Sequence, residues 1–251
     1  MRILITILSF IFIQTLTAQN NVAELKSFLE TLEKTDSIKQ KIKEAHFQNL
    51  EILDLYIELE RKIDFGYMQY RILVMPISGW DLKLNFISKD GIIKYGLISE
   101  YKYNEEKHLN IKNFSRSPDI LRQYTSKHNK YYDTNLDQPD FIEQLLKEYV
   151  VGFGCGFSGK QISKESKKSI RYAKKRNFKK LNELLTSFSP ELQTLGVIGI
   201  LKIGKITDLQ KKIIQHLKKR NSVIYSCSGC LYGIGETFNK RIKYYEQKAS
   251  R

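Results

Sequence analysis

The sequence has few of the residues that form common catalytic and metal sites. It contains three cysteines and four histidines among 251 residues. No histidine belongs to an H-E-x-x-H motif or to another catalytic spacing. The acidic residues form no pair placed for acid–base catalysis. We therefore predict no catalytic residue, no bound metal and no cofactor.

Long apolar runs are also absent, except at the N-terminus. Met1-Arg2 precede an apolar run over residues 3–13, and a small residue, Ala18, stands at a suitable cleavage position. These features are typical of a signal peptide over residues 1–18. No later run approaches the ~18 residues of a membrane-spanning helix, and no cysteine follows the cleavage position to carry a lipid. We expect no transmembrane helix and a mature protein that is periplasmic or secreted, in a bacterium.

Acidic residues are scarce in the last part of the chain. Residues 1–150 carry 20 basic and 21 acidic side chains, whereas residues 151–251 carry 22 basic and only 6 acidic ones. Such asymmetry indicates a division of function within the chain. The predicted order after the signal peptide is an α+β domain at 19–150, a Gly-rich connector at 151–160, a helical domain at 161–238 and a basic tail at 239–251.

The α+β domain is predicted from a change of hydrophobic period. Helical spacing indicates one helix over residues 22–32 and a second, longer helix over residues 38–59. Short turns then separate β-rich segments, which are residues 70–75, 82–87, 92–103 and 109–114. Because turns this short cannot make parallel crossovers, we predict an antiparallel meander backed by helices. A surface loop is expected at residues 127–137.

The C-terminal part is predicted to be all-helical, as two helix pairs. The first pair comprises residues 178–188 and 189–203, and the second comprises residues 209–217 and 222–234. The two pairs align with an offset near 32 residues. The segment Ser189-Pro190-Glu191-Leu192, with apolar residues behind it at Leu195, Ile198 and Leu201, resembles the second helix of a HEAT or armadillo repeat. The resemblance covers residues 177–236 and implies a binding surface without chemistry.

Lysine dominates the start of this helical part. Ten cations occupy residues 160–180, against a single acid, Glu165. Six of them follow a helical period and should form one stripe opposite Ile162, Ile170 and Ala173. The six are Lys164, Lys167, Lys168, Arg171, Lys174 and Lys175. Such a stripe suits an acidic protein or an anionic polymer or surface, or it serves solubility alone. Without a nucleic-acid fold signature, no specific nucleic-acid readout is expected.

The three cysteines leave several interpretations open, since an odd number in an exported chain cannot pair completely. Cys227 and Cys230 form a C-x-x-C motif, which we expect inside a helix that starts near Ser222. The leading interpretation is one structural disulfide from Cys155 to Cys227 or Cys230. Buried free thiols, redox chemistry, and a metal site completed by His216 are the alternatives.

The Gly-rich segment matches the G-x-x-x-x-G-K spacing of a phosphate-binding loop over residues 154–160. Gln161 stands where that motif has the Ser or Thr that holds Mg²⁺. We therefore interpret the segment as a tight connector, with Phe153, Cys155 and Phe157 buried.

These features together favour an exported, non-enzymatic binding protein with a basic helical surface for a protein or polyanionic partner. One alternative is an enzyme, either a hydrolase or a thiol–disulfide protein that uses Cys227 and Cys230. A cleft gathering His108 or His128 with carboxylates would favour the hydrolase. The other alternative is a small immunity or inhibitor protein.

Overall fold

The structure is a computed structural model of the protein, and it describes residues 21–116 and 119–249. These residues form two compact units. The first unit holds the described residues up to Arg61 together with Gly66–Leu121, and the second holds Lys62–Phe65 together with the described residues from Arg122 onward. The predicted signal peptide lies outside the described residues.

Within the described residues, the first unit contains two α-helices and a five-stranded sheet. The helices are α1 (residues 21–31) and α2 (Ile38–Glu44). The strands are β1 (Ile52–Lys62), β2 (Tyr67–Pro76), β3 (Asp81–Lys89), β4 (Ile92–Lys102) and β5 (Lys107–Ser115). They lie in sequence order within the sheet, and the pairs from β2 to β5 are antiparallel. The predicted α+β class and antiparallel meander are confirmed.

Helix α1 supplies much of the apolar core of the first unit. Val22, Leu25 and Leu29 are buried in one cluster with strand residues that include Leu84 and Phe86. Their i, i+3, i+7 spacing gives α1 a single apolar face that covers the sheet. The sheet therefore presents one of its faces to this helix.

The predicted helix over residues 38–59 is wrong in its second half. Helix α2 ends at Glu44, and the following apolar residues belong to strand β1. Leu55 and Leu59 are both buried in that strand. A spacing of four residues places two side chains on the same face of a helix and also on the same face of a strand, so these two leucines satisfy both periods.

The second unit contains seven helices and a three-stranded sheet within the described residues. Its elements are α3 (Ile120–Tyr132), α4 (Gln138–Leu146), β6 (Val151–Cys155), α5 (Lys164–Lys174), α6 (Phe178–Leu185), α7 (Pro190–Ile203), α8 (Asp208–Arg220), β7 (Val223–Gly229), β8 (Leu231–Thr237) and α9 (Phe238–Ala249). The strand order is β6-β7-β8, with β6 parallel and β8 antiparallel to β7.

Helix α7 is the central element of the second unit. Its residues from Pro190 to Leu201 are all buried, and it packs against α5, α6 and α9. Burial on all sides is typical of a helix enclosed by other elements, and the polar residues Glu191, Gln193 and Thr194 are buried with the apolar ones. The N-cap residue Ser189 starts the helix and accepts a hydrogen bond from the backbone N–H of Leu192, and Gly204 ends it in the left-handed conformation.

Two local predictions for this unit are wrong. Residues 222–234, predicted as a helix, lie in the β7–β8 hairpin, where Gly229 and Gly233 take positive φ angles of 60° and 73°. Residues 127–132, predicted as loop, continue α3 and bury His128 and Tyr132. The first predicted helix pair is present as α6 and α7, whereas α8 is followed by the hairpin. Among the described helices, none is long and apolar enough to cross a membrane.

Candidate anion-binding surface

Helix α5 is held to the second unit by a face of small side chains. Ser166, Ser169 and Ala173 are buried. Ser169 Oγ donates a hydrogen bond to the carbonyl oxygen of Leu195 in α7 at 2.7 Å, and Ser166 Oγ accepts one from the backbone N–H of Gly152 at 3.0 Å. Small residues on this face allow close approach to α7. The opposite face of α5 is therefore left to solvent.

The predicted cationic stripe lies on that opposite face. Five of its members are exposed and Lys168 is half-buried. The exposed members are Lys164, Lys167, Arg171, Lys174 and Lys175. No ion pair joins any of the six to a carboxylate in the part of the chain that the structure describes. We call these six residues the α5 stripe.

Four acids of the second unit pair with cations outside the α5 stripe, and a fifth, Glu165, lies in α5 itself. Glu183 pairs with Lys180 at 2.5 Å, Asp208 with Lys211 at 3.1 Å, and Glu246 with Lys218 at 2.5 Å. Glu236 pairs with Arg241. The positive charge of the α5 stripe is therefore not neutralised by these carboxylates, and it is available to an external anion.

The spacing of the α5 stripe suits a linear anion. Residues 164–175 span about 16 Å at a rise of 1.5 Å per residue, with at least one cation in every turn. Residues three and four apart are neighbours on one helix surface. An extended polyanion lying along α5 would therefore meet a positive charge about every 5 Å.

The structure brings two of the three cysteines together. Cys155 in β6 and Cys227 in β7 lie on adjacent parallel strands, within disulfide-bonding distance and with Cα atoms 5.3 Å apart. Cys230 is exposed in the turn between β7 and β8. The expectation that the C-x-x-C motif lies inside a helix is wrong. The motif instead spans a hairpin turn, with Cys227 inside β7 and Cys230 in the turn.

The segment that matches a phosphate-binding loop forms a short loop after β6, closed by two backbone hydrogen bonds. The backbone N–H of Cys155 donates to the carbonyl oxygen of Gln161 at 2.7 Å, and the N–H of Gln161 donates back at 2.8 Å. Gly156 and Gly159 take positive φ angles inside this loop. Cys155 is buried as expected, but Phe157 is 98% exposed, so the expectation that it is buried is wrong.

A buried charged cluster, which the sequence analysis did not identify, lies elsewhere in the second unit. Asp64 Oδ1 accepts hydrogen bonds from His216 Nε2 at 2.9 Å and Arg220 Nη1 at 2.5 Å, and Asp64 Oδ2 accepts one from the Tyr132 hydroxyl at 2.9 Å. Arg220 Nη2 donates to Gln193 Oε1 at 2.6 Å. We call these five residues the Asp64 cluster.

The Asp64 cluster keeps its carboxylate ionised. Burial alone would raise the pKa of Asp64, but the Arg220 charge and the His216 hydrogen bond outweigh it and lower that pKa well below its usual range. Burial and the negative charge of Asp64 raise the pKa of the Tyr132 hydroxyl. His216, Arg220 and the Tyr132 hydroxyl all donate to the Asp64 carboxylate, so the cluster holds the 62–65 segment to α3 and α8.

The two histidines named for a hydrolase lie in different environments, one in each unit. His108 Nδ1 lies 2.7 Å from Ser99 Oγ in the first unit. His128 is fully buried, and neither of its ring nitrogens has a hydrogen-bond partner among the described residues. Burial lowers the pKa of His128 to about 4. The described residues also contain no group of three His, Cys, Asp or Glu side chains placed for a metal ion.

Comparisons with known proteins return no relative for this chain. No family model matches it, and neither a curated protein nor a solved structure does so.

Proposed function

We propose that this protein is an exported, non-enzymatic binding protein whose α5 stripe binds an anionic protein or an anionic polymer. The observation that carries the proposal is the concentration of exposed cations, without carboxylate partners among the described residues, on one face of α5. The signal-peptide pattern of residues 1–18 supports export. The close approach of Cys155 and Cys227 supports an oxidising compartment.

The position of the charges favours a binding role over a role in helix stability. Lys164 occupies the first position of α5, where the positive end of the helix dipole makes a cation unfavourable. Lys174 lies in the last turn, where a cation is favourable. Glu165, in the same first turn, is the acid that the helix dipole favours there, so Lys164 is the member of the stripe that is placed against the dipole.

The chemistry of the α5 stripe favours a partner recognised by charge rather than by shape. Five of its six members are lysines. A lysine ammonium is a mobile point charge, whereas the planar guanidinium of arginine makes directed, bidentate contacts. Lysine-rich surfaces therefore suit anions with many equivalent charged groups, and their binding should be sensitive to salt.

A charge-neutralising experiment tests this proposal. The probe is a fluorescein-labelled, low-mass dextran sulfate. Its binding to the mature protein is measured by fluorescence anisotropy at 0.1 M salt, where the Debye length is roughly 10 Å. The test variant is K164Q/K167Q/K174Q/K175Q. The control variant is K205Q/K212Q/K219Q/K240Q, which removes four exposed lysines elsewhere in the second unit and gives the same net charge.

The two variants should differ in affinity. Four lost charge contacts should weaken dextran sulfate binding by at least about tenfold in the α5 variant, and the control should change it by less than about threefold. Equal losses in both variants would show that only net charge matters. That result, or no binding by the wild type at low salt, would overturn the proposal.

A further inference from the structure

An open apolar groove lies beside α5 in the second unit. Its volume is about 460 Å³, which falls within the range of small-molecule sites. Aliphatic and aromatic side chains form its walls, together with one cation. The lining residues are Phe153, Ile162, Ile170, Leu201, Lys202, Tyr244 and Tyr245.

The cation of this groove lies over its aromatic wall. Lys202 Nζ is 5.3 Å from the centre of the Phe153 ring and 5.8 Å from that of Tyr245. Tyr244, at 62% exposure, forms the outer wall and meets Tyr245 edge to face at 5.1 Å. An exposed tyrosine and a lysine at the mouth of an apolar groove give it an apolar interior and a positive entrance.

The groove and the α5 stripe share an edge. Ile170 lines the groove, and Lys167 and Lys174 are three residues before and four residues after it in α5. Side chains at these spacings are neighbours on a helix surface. Neither lysine lines the groove, but both neighbour its Ile170 wall on α5, and Lys202 of α7 supplies a positive charge among the lining residues.

We propose that this groove binds a single-chain anionic amphiphile. The alkyl chain lies against the Ile170, Phe153 and Tyr245 side chains, and the carboxylate or phosphate head is paired with Lys202 and the two flanking lysines. A cationic rim complements the charge of such a head, and apolar walls release water when the chain is buried. The site is concave, which suits one chain better than the flat surface of a bilayer.

This ligand is additional to the polyanionic partner of the α5 stripe, although the two share Lys167 and Lys174. The groove proposal stands on Lys202 and the aromatic wall, which lie outside the stripe. If the dextran sulfate test fails and amphiphile binding succeeds, the groove proposal holds alone. If the reverse occurs, the stripe proposal holds alone.

The test is calorimetric titration with straight-chain carboxylates from octanoate to tetradecanoate, each below its critical micelle concentration, and with decanol as the uncharged counterpart of decanoate. We expect saturable binding of one carboxylate per protein. Affinity should rise about fourfold per added methylene until the groove is filled, and decanol should bind at least about tenfold more weakly than decanoate.

Two groove variants and two controls locate the binding. K202Q should weaken decanoate binding by about tenfold, and its control K212Q removes an exposed lysine of α8. Y244A removes the outer wall and should weaken binding several-fold, whereas Y56A alters an exposed tyrosine of β1. All four sites are outside the core, and circular dichroism checks that each variant folds.

Several results would overturn the groove proposal. These are an absence of binding, an affinity that does not depend on chain length, equal affinities for decanoate and decanol, and equal effects of the groove and control variants. A fifth is capture of the protein by anionic phospholipid vesicles without binding of the free carboxylates, because a bilayer would then be the ligand.

Discussion

Arg220 Nη1 donates a hydrogen bond to Asp64 Oδ1 at 2.5 Å, between residues 156 positions apart in the chain. The two side chains are 6% and 1% exposed. The pair connects the short 62–65 segment to the end of α8, and the Tyr132 hydroxyl adds a contact from α3. In a buried ion pair of this kind each charge stabilises the other, so removal of one residue leaves the other charge buried without compensation.

Loss of Arg220 alone should therefore strongly destabilise the second unit. We expect R220M to lower the free energy of unfolding by about 3–5 kcal/mol, because it leaves the Asp64 carboxylate buried without its cation. The double variant D64L/R220M removes both charges and should be more stable than R220M. Urea unfolding measures both values.

The exposed pair Lys211–Asp208 provides the control, and K211Q should change the unfolding midpoint little. Asp64 and Arg220 would not be coupled if R220M were as stable as K211Q. The same would follow if the loss of unfolding free energy in D64L/R220M equalled the sum of the losses in the single variants D64L and R220M.

His128 should make the protein sensitive to mild acid. Burial lowers its pKa to about 4, and the Arg220 charge adds to this, whereas Asp64 partly opposes it. The unfolded chain has a histidine pKa near the ordinary 6.5. Above pH 6.5 the residue is neutral in both states and has no effect. Between pH 6.5 and 4 only the unfolded state is protonated, so stability falls as pH falls, by on the order of 3 kcal/mol in total.

The measurement is urea unfolding at pH 7 and pH 5. H128F keeps an aromatic ring between Tyr132 and Phe188, whose ring centres lie 4.4 and 4.2 Å from that of His128. The difference in unfolding free energy between pH 7 and pH 5 should be smaller in H128F than in the wild type. Replacement of the exposed His46 by Gln should retain that difference in full. An unchanged difference in H128F would contradict the assignment to His128.

The cysteine arrangement predicts one free thiol in the oxidised protein. Thiol titration of the denatured, unreduced chain should find Cys230 free and a peptide linking Cys155 to Cys227, which are 72 positions apart. A loop of this length gives about 4 kcal/mol of stabilisation in chain-entropy estimates, so C155S should unfold at lower urea than C230S. Three free thiols, or a Cys227–Cys230 bridge, would contradict the pairing.

Gly196 should be the less replaceable of two glycines in α7. A Cβ at this position would lie 2.7 Å from the Leu185 Cα and against the backbone nitrogen of the same residue. A Cβ at Gly199 meets chiefly the end of the Leu181 side chain, which can rotate away. G196A should therefore lower the thermal midpoint more than G199A, although both substitutions favour the helix. The reverse order would show that α6 does not approach α7 at Gly196.

Features set by neighbouring residues could be predicted from the sequence. The meander of β2 to β5 follows from β-rich segments separated by short turns, and the α5 stripe follows from the spacing of its cations. Strand β1 was not predicted because Leu55 and Leu59 fit two periods. The β7–β8 hairpin resembles a helix in sequence because its apolar residues have helical spacing, although Gly229 and Gly233 disfavour a helix.

Features set by distant residues could not be predicted. Asp64 and Arg220 meet only because the tertiary fold brings the 62–65 segment to α8, and no local pattern marks either residue as a partner. His128 and Tyr132 lie on the buried side of α3, where polar and aromatic residues replace the aliphatic stripe that usually reveals a core helix. The groove beside α5 likewise combines residues from β6, α5, α7 and α9.

The salt dependence of dextran sulfate binding tests the central claim most directly. The slope of log K against log salt concentration counts the charge contacts that are made on binding. We predict that K164Q/K167Q/K174Q/K175Q has a slope about three units shallower than the wild type, while K205Q/K212Q/K219Q/K240Q retains the wild-type slope. The same slope for all three proteins would contradict the assignment of anion binding to the α5 stripe.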